Sequence, residues 1–312
     1  MKTADRADPG RKPPAARAAG PPGRRRTDRH EGALVLIGGA CDPRGQALGS
    51  FIDLAGARSG GRIVVLTTAS SDPRGSAHVW LADFHRAGVT NVEIPVVDRR
   101  DVAQDSRVAD MIRSASGIFL GGGDQVHLVA TLGGSRVETA IREAYAAGAV
   151  VCGTSAGAAA LTETILAGGE PDDYGEMVDL HVGPGFGMLG FRAVIDTHFA
   201  QRRRLQRLFM VVAQNPELMG LGIDEDTAIV IRGHLGEVVG RGSLTFVDGR
   251  GVRFDNADEC LAGQPLTLSY LRVGIVGSGY TFNLRERELD LLLRAHEGDS
   301  PVEVVRPEER GG

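Results

Sequence analysis

A serine between two glycines stands where a short apolar run ends. The segment Ala149-Val150-Val151-Cys152 leads into Gly153-Thr154-Ser155-Ala156-Gly157, and alanines follow. That order reads as strand, sharp turn and helix. A G-x-S-x-G turn of this kind projects the serine Oγ above the edge of a sheet, and its glycines are required where neighbouring backbone crowds the turn. The chemistry on offer is nucleophilic attack on a carbonyl. Two other uses of such a turn exist, a tight packing corner and a phosphate-binding loop.

A serine hydroxyl alone is inert near neutral pH. It needs a base, a group that orients the base, and donors for the oxyanion that develops. Of eight histidines, His198 falls in Ile195-Asp196-Thr197-His198-Phe199, just past a predicted strand and on the same sheet edge as Ser155. His181, in a long loop, is the rival. The acid has three candidates, Asp224, Glu225 and Asp226, in a turn between two predicted strands; composition does not choose among them. The N–H of Ala156 follows the nucleophile and is a natural oxyanion donor, with Gly122 or Gly123 supplying the second.

Composition narrows the chemistry further. The 312 residues are 42% hydrophobic and 24% charged, ordinary for a globular protein. Lys2 and Lys12 are the only lysines. This excludes a Ser–Lys dyad, a Schiff-base lysine and a Walker A lysine from the folded part. Cysteines at 41, 152 and 260 have no CxxC spacing, so neither a disulfide framework nor a zinc site is expected. No metal and no cofactor is required. A reduced cytoplasm fits.

There is no apolar run of about 18 residues for a membrane and no secretory signal. Residues 1–31 read as a disordered tail with nine basic and four acidic side chains, while the whole chain stands at −5. No nucleic-acid partner is expected from that tail. Residues 32–298 read as one domain and 299–312 as a loose end.

The elements that must hold these groups alternate. Strands are predicted at 33–37, 62–67, 91–97, 117–120, 149–152 and 192–196. Helices are predicted at 46–56, 76–87, 105–115, 126–132, 137–147, 156–166 and 199–214. Such a repeat implies a mainly parallel sheet with helices on both faces, binding ligands at the carboxyl ends of its strands. The Gly-rich breaks 38–39, 121–123 and 153–157 all lie there. Residues 168–190 read as a long functional loop. From 220 onward short antiparallel strands are predicted at 220–224, 227–231, 236–240, 243–247, 266–274 and 278–282, with a closing helix at 284–295.

Several segments together resemble the cyanophycinases, peptidase family S51, which also contains aspartyl dipeptidase. They are Ile37-Gly38-Gly39-Ala40, Phe119-Leu120-Gly121-Gly122-Gly123-Asp124-Gln125, Gly153–Ala158, Asp196-Thr197-His198-Phe199 with Arg202, Arg204, Arg207 and Leu208, and Gly222–Ala228. The resemblance spans roughly 34–282. It implies a Ser155–His198–Glu225 triad, selecting Glu225 from the acidic turn. It implies a three-layer α/β/α sandwich like the class I glutamine amidotransferases. Around the substrate it places Gln125, Asp196, Arg202, Arg204 and Arg207.

The substrate implied is cyanophycin, a poly-aspartate backbone carrying arginine on each side-chain carboxyl, cut to β-aspartyl-arginine dipeptides. Arginine forks suit its carboxylates, and the acidic residues 170–176 suit its guanidinium groups. A homodimer is implied as well. Thr197 stands where the family's well-known members carry Gln, and Arg203 where Gly is common. The enzymatic alternative is a dipeptidase or isoaspartyl peptidase acting on short Asp-containing peptides. The non-enzymatic alternative is a nucleotide-binding module using Gly38–Gly39 and Gly121–Gly123 as phosphate loops. Without a lysine or a full GxGxxG, that reading is the weaker one.

Overall fold

The computed structural model describes residues 32–169, 180–257, 259 and 264–290. The basic tail, the acidic stretch 170–176 and the C-terminal end lie outside them.

Four short apolar runs form the parallel part of the main sheet: β1 (Leu34–Ile37), β2 (Ile63–Leu66), β4 (Gly117–Leu120) and β5 (Val150–Thr154), with the short β3 (Val92–Glu93) at the rim. Every residue of those four runs is buried, as strands covered on both faces must be. Between them run α1 (Gln46–Leu54), α2 (Pro73–Arg86), α3 (Ser106–Arg113), α4 (Gln125–Leu132) and α5 (Arg136–Ala146). Asp72, Asp105, Asp124 and Ser135 cap the last four through side-chain oxygens that accept backbone N–H bonds. The helix after β5 is short, α6 (Ala156–Ala160).

The rest of the chain is mostly strand. It comprises β6 (Thr164–Leu166), β7 (Val182–Pro184), β8 (Ala193–Thr197), α7 (Leu205–Gln214), β9 (Met219–Ile223), β10 (Thr227–Arg232), β11 (Leu235–Gly240) and β12 (Ser243–Asp248). The small pair β13 (Phe254–Asp255) and β14 (Leu268–Ser269) follows, then β15 (Arg272–Gly277), β16 (Thr281–Asn283) and β17 (Glu288–Asp290).

Among the described residues the main sheet has nine strands in the order β17-β16-β11-β10-β1-β5-β4-β2-β3. Its β1-to-β3 half is parallel, and its β10-to-β17 half is antiparallel. A second sheet, β15-β12-β9-β8, stacks on it. One face of the main sheet, with Val35, Ile37, Val65 and Phe119, packs on Leu48, Phe51 and Ile52 of α1 and Phe84 of α2. The other face, with Leu34, Leu36, Val64 and Leu66, shares a core with α3 to α6 and with Ile195, Leu221, Ile223, Leu244 and Phe246 of the second sheet. The far side of that second sheet is covered by Leu208, Val211 and Val212 of α7.

Several expectations are corrected. The predicted helix 156–166 stops at Ala160, and 164–166 becomes β6. The Thr162 hydroxyl donates to the carbonyls of Ala159 and Thr164, turning the chain there, and Thr164 and Ile165 are β-branched. The strand 91–97 shrinks to two residues, since Pro95 cannot donate to a ladder. Within the predicted loop 168–190, residues 182–184 pair with β6. The helix predicted from 199 starts at Leu205, because His198 and Arg203 take left-handed backbone with φ 51° and 52°. The stretch 266–274 splits into β14 and β15. The described part of the predicted closing helix is instead turn and strand, with β17 pairing to β16. Most consequential, β8 does not join the main sheet. It pairs with β9 in the second one, so His198 and Ser155 belong to different sheets.

Candidate active site

Ser155 sits at the end of β5, between its last residue Thr154 and the first residue of α6. Its backbone is strained, with φ 51° and ψ −117°. Residues held in such regions persist only when the surroundings over-determine them, and they cluster at functional sites. Here Ser155 N–H donates to Ile37 O at 3.0 Å, and its own carbonyl accepts from Ala159 N–H. A Cβ on Gly153 would lie 2.4 Å from the Gly157 backbone, and one on Gly157 would lie 2.1 Å from Leu120 O. Both glycines of the motif are therefore demanded by packing.

The second sheet brings the partners. Ser155 Oγ lies 2.9 Å from His198 Nε2, and His198 Nδ1 lies 2.6 Å from Glu225 Oε1. His181, the rival base, is exposed and lies outside this hydrogen-bonded chain; its carbonyl accepts from Ala167 N–H. Of the three carboxylates in the acidic turn, only Glu225 reaches the imidazole. Asp224 accepts from Ala200 N–H and from the N–H and hydroxyl of Ser243. Asp226 accepts from Asp42 N–H.

The seam between the sheets is built on Gly38 and Gly39. His198 N–H donates to Gly38 O at 2.7 Å, and Asp226 N–H donates to Gly39 O at 3.0 Å. Gly39 has φ 110°, and a Cβ there would fall 2.3 Å from the His198 ring. The imidazole lies against a residue that must lack a side chain. These glycines are visible in the sequence as a break at a strand end; their task as the seat of the histidine is not.

Gly122 flanks the hydroxyl. A Cβ on it would stand 3.2 Å from Ser155 Cβ and 3.7 Å from Oγ. Gly123 follows, and Ala156 opens α6 directly after the serine. The neighbours Gly121 and Asp124 have their N–H groups bonded to Leu66 O and Ala69 O.

Gly122, Gly123, Ser155 and His198 line a cavity of about 750 Å³. Gln125, Asp196, Arg202, Arg204 and Arg207 all lie on its wall, as do Cys41, Trp80 and Asp83. The arginines differ in kind, which sequence spacing does not indicate. Arg202 is exposed. Arg204 and Arg207 are buried and converge on Asp196, itself 1% exposed. Arg207 holds that carboxylate through Nε at 2.8 Å and Nη2 at 2.5 Å, and Arg204 reaches it through Nη1 at 3.2 Å. Arg204 also donates to Thr197 O and Arg207 to Gly169 O. Gln125 Nε2 donates to Leu166 O at 2.5 Å, anchoring the chain where it enters the 167–180 segment. Arg203 is exposed at φ 52°, the backbone region that glycine adopts without cost, so an arginine in a position where glycine is common has a conformational meaning.

Two free thiols lie close by. Burial pushes Cys41 up to about 12, with the charges of Asp226 and Asp83 adding to the effect. Burial likewise raises Cys152 well above the usual thiol range. Neither is an activated nucleophile. Among the described residues no His, Cys, Asp and Glu group is arranged to hold a metal, and no helix is long and apolar enough to cross a membrane.

Residues 34–239 match peptidase family S51. The chain is 34% identical over 260 residues to a cyanophycinase of Trichormus variabilis, covering 82% of this chain and 86% of that one. It is 35% identical over 266 residues to a cyanophycinase of Synechococcus elongatus, covering 83% and 81%. The crystal structure of a peptidase from an acI-B1 Actinobacterium shares the fold, with a TM-score of 0.59 at 20% identity over 82% of this chain and 98% of that chain. On the family match and these relatives, the chain belongs to peptidase family S51 and is a serine-type peptidase.

Proposed function

We propose that the protein hydrolyses cyanophycin, cutting backbone bonds of the poly-aspartate chain and releasing β-aspartyl-arginine dipeptides through an acyl-enzyme. The observation that carries the reading is the unbroken hydrogen-bonded chain Ser155–His198–Glu225, with links of 2.9 and 2.6 Å at the wall of a cavity. The relatives named cyanophycinase supply the substrate.

In this mechanism His198 Nε2 takes the Ser155 proton as Oγ attacks the aspartyl carbonyl. Glu225 holds the ring through Nδ1 and stabilises the imidazolium that forms. The N–H groups of Ala156 and of Gly122 or Gly123 receive the oxyanion. His198 then protonates the leaving amine, and water, deprotonated by the same imidazole, releases the acyl group and restores the serine. Arg202, exposed on the cavity wall, meets a substrate carboxylate first. Arg204 and Arg207, held by Asp196, shape the wall behind it, and Gln125 keeps the loop entrance in place.

The nucleotide-binding alternative loses its support at the glycines. Gly39 seats the imidazole, and a Cβ on Gly123 would meet Ala69 O at 1.9 Å, so protein packing accounts for the missing side chain at each. The test is incubation with insoluble cyanophycin and detection of the released dipeptide, beside Asp-X dipeptides and isoaspartyl peptides. Release of β-aspartyl-arginine by the wild type and not by Ser155→Ala is expected. Turnover of the short peptides alone would replace the substrate, and unchanged turnover by Ser155→Ala would end the mechanism. The same reading carries a cytoplasmic homodimer, which cell fractionation and size-exclusion chromatography test.

A further inference from the structure

The parallel ladder between β8 and β9 ends where Thr197 pairs with Ile223. Both chains then leave strand geometry, one to present His198 and the other to present Glu225. Beyond the ladder the two segments stay joined residue for residue. Phe199 N–H donates to Ile223 O at 3.2 Å. Ala200 N–H donates to Asp224 Oδ1 at 3.1 Å. Glu225 N–H donates to Gln201 Oε1 at 3.1 Å. Side chains thus replace main-chain carbonyls as acceptors in the last two rungs, and the final rung ends on the residue that holds the imidazole.

From this geometry we infer that Gln201 is a positioning residue for the peptidase reaction, locking the Glu225 backbone to the turn that carries His198. The inference rests on the triad reading above. Gln201 is exposed, so the fold does not depend on its burial. Its amide oxygen is nevertheless the acceptor for the N–H of Glu225, whose carboxylate is itself partly exposed and makes the 2.6 Å bond to His198. Asp224 is the buried half of the same clamp. It ties Ala200 to Ser243 of β12, so the turn of the base and the turn of the acid are both joined to the second sheet. Without the Gln201 rung, the Glu225 N–H loses its acceptor; the turn keeps the Thr227 hydroxyl on the Glu225 carbonyl and the anchors at Asp224 and Asp226, and the carboxylate samples positions out of line with Nδ1. A net hydrogen bond of this kind corresponds to about a three- to tenfold change in rate.

The experiment compares Gln201→Met, nearly isosteric without an acceptor, with Gln201→Glu, which keeps an acceptor oxygen. Both are measured against the wild type and Ser155→Ala at about 1 M salt, where the screening length falls to about 3 Å and the charge added by Gln201→Glu acts least on the triad. For Gln201→Met, a kcat about three- to tenfold lower is expected, with KM and thermal midpoint unchanged, and with proportionally slower labelling of Ser155 by a fluorophosphonate. Gln201→Glu is expected to recover most of that loss. Wild-type kcat in Gln201→Met, a loss that tracks a fall in thermal midpoint, or no recovery in Gln201→Glu would each overturn the inference while leaving the triad standing. A wild type whose hydrolysis survives Ser155→Ala would overturn the triad and the inference together.

Discussion

The main sheet and the second sheet contribute to the site in different ways. The main sheet carries Ser155, the proposed nucleophile, through local structure: a buried strand, a strained serine and a short helix, all within residues 150–160. The proposed base and acid come by long-range placement: His198 follows β8 of the second sheet, and Glu225 lies in the link from β9 of that sheet to β10 of the main one. His198 lies 43 residues from Ser155, and Glu225 a further 27. The two halves meet at the seam on Gly38 and Gly39. A nucleophile can be written into an eleven-residue segment, whereas its activation depends on how two sheets stack.

The largest effect should come from the main-sheet side. Ser155→Ala is expected to lower kcat by at least about four orders of magnitude, while circular dichroism and thermal midpoint stay native or rise as the hydroxyl is removed. Retained activity would mean that the nucleophile is elsewhere and that the contrast between the sheets is misdrawn.

The seam comes next. In Gly39→Ala the new methyl would fall 2.3 Å from the imidazole, at a backbone φ of 110° that disfavours any side chain. Displacement of the ring by about 1 Å is expected to cost about a hundredfold in kcat. Fluorophosphonate labelling should slow to match, and the fold should remain. Unaltered labelling would show that the sheets have slack at their junction.

The tie between β12 of the second sheet and the β16–β17 turn of the main sheet can be loosened away from the site. Asp248, at the end of β12, is held by Arg250 at 2.8 Å and Arg287 at 2.5 Å. Burial raises its pKa, but the hydrogen bonds from Arg250 and Arg287 outweigh burial and bring it from 3.8 to about 2. A carboxyl whose folded pKa is depressed adds stability above its unfolded pKa. That share is lost as pH falls from about 4 through 2. The contribution is about 2 kcal/mol. Urea unfolding at pH 7 and pH 2.5 should show a smaller acid loss in Asp248→Asn than in the wild type. Equal losses would remove Asp248 as the acid-sensitive point of this tie.

The smallest effect concerns Arg203, in the turn between His198 and α7. Arg203→Gly relieves a left-handed φ of 52° and is expected to raise stability by a few tenths to about 1 kcal/mol, since the gain is partly offset by a more flexible unfolded chain. Thermal denaturation reads this directly. A destabilised variant would mean that the arginine side chain contributes more than its backbone costs.

Much of the site is legible in the sequence. The elbow at 153–157 can be read because strand, turn and helix each have short-range causes. The pairing of Ser155 with His198 and Glu225 comes from the family resemblance, since three carboxylates in one turn are equivalent in composition. Their difference is orientation: Asp224 and Asp226 point into backbone N–H groups, and Glu225 alone points at the imidazole. The arginine series at 202, 204 and 207 is misleading as a uniform set of forks. The N-cap and first turn of α7 bury two of them, Arg204 and Arg207, against Asp196, and the turn before it leaves Arg202 outside.

Local pattern and composition are enough for the parallel strands, the sharp turn at Ser155 and the lack of any lysine beyond Lys12. Those follow from apolar runs, glycine spacing and residue type, all short-range or compositional properties. Three-dimensional packing sets β8 beside β9 rather than in the main sheet, and makes 284–290 turn and strand instead of helix. It also decided that Gly39 gives up its side-chain space to a histidine from another sheet. Each of these depends on contact between segments far apart in the chain, and period and propensity carry no record of such contacts.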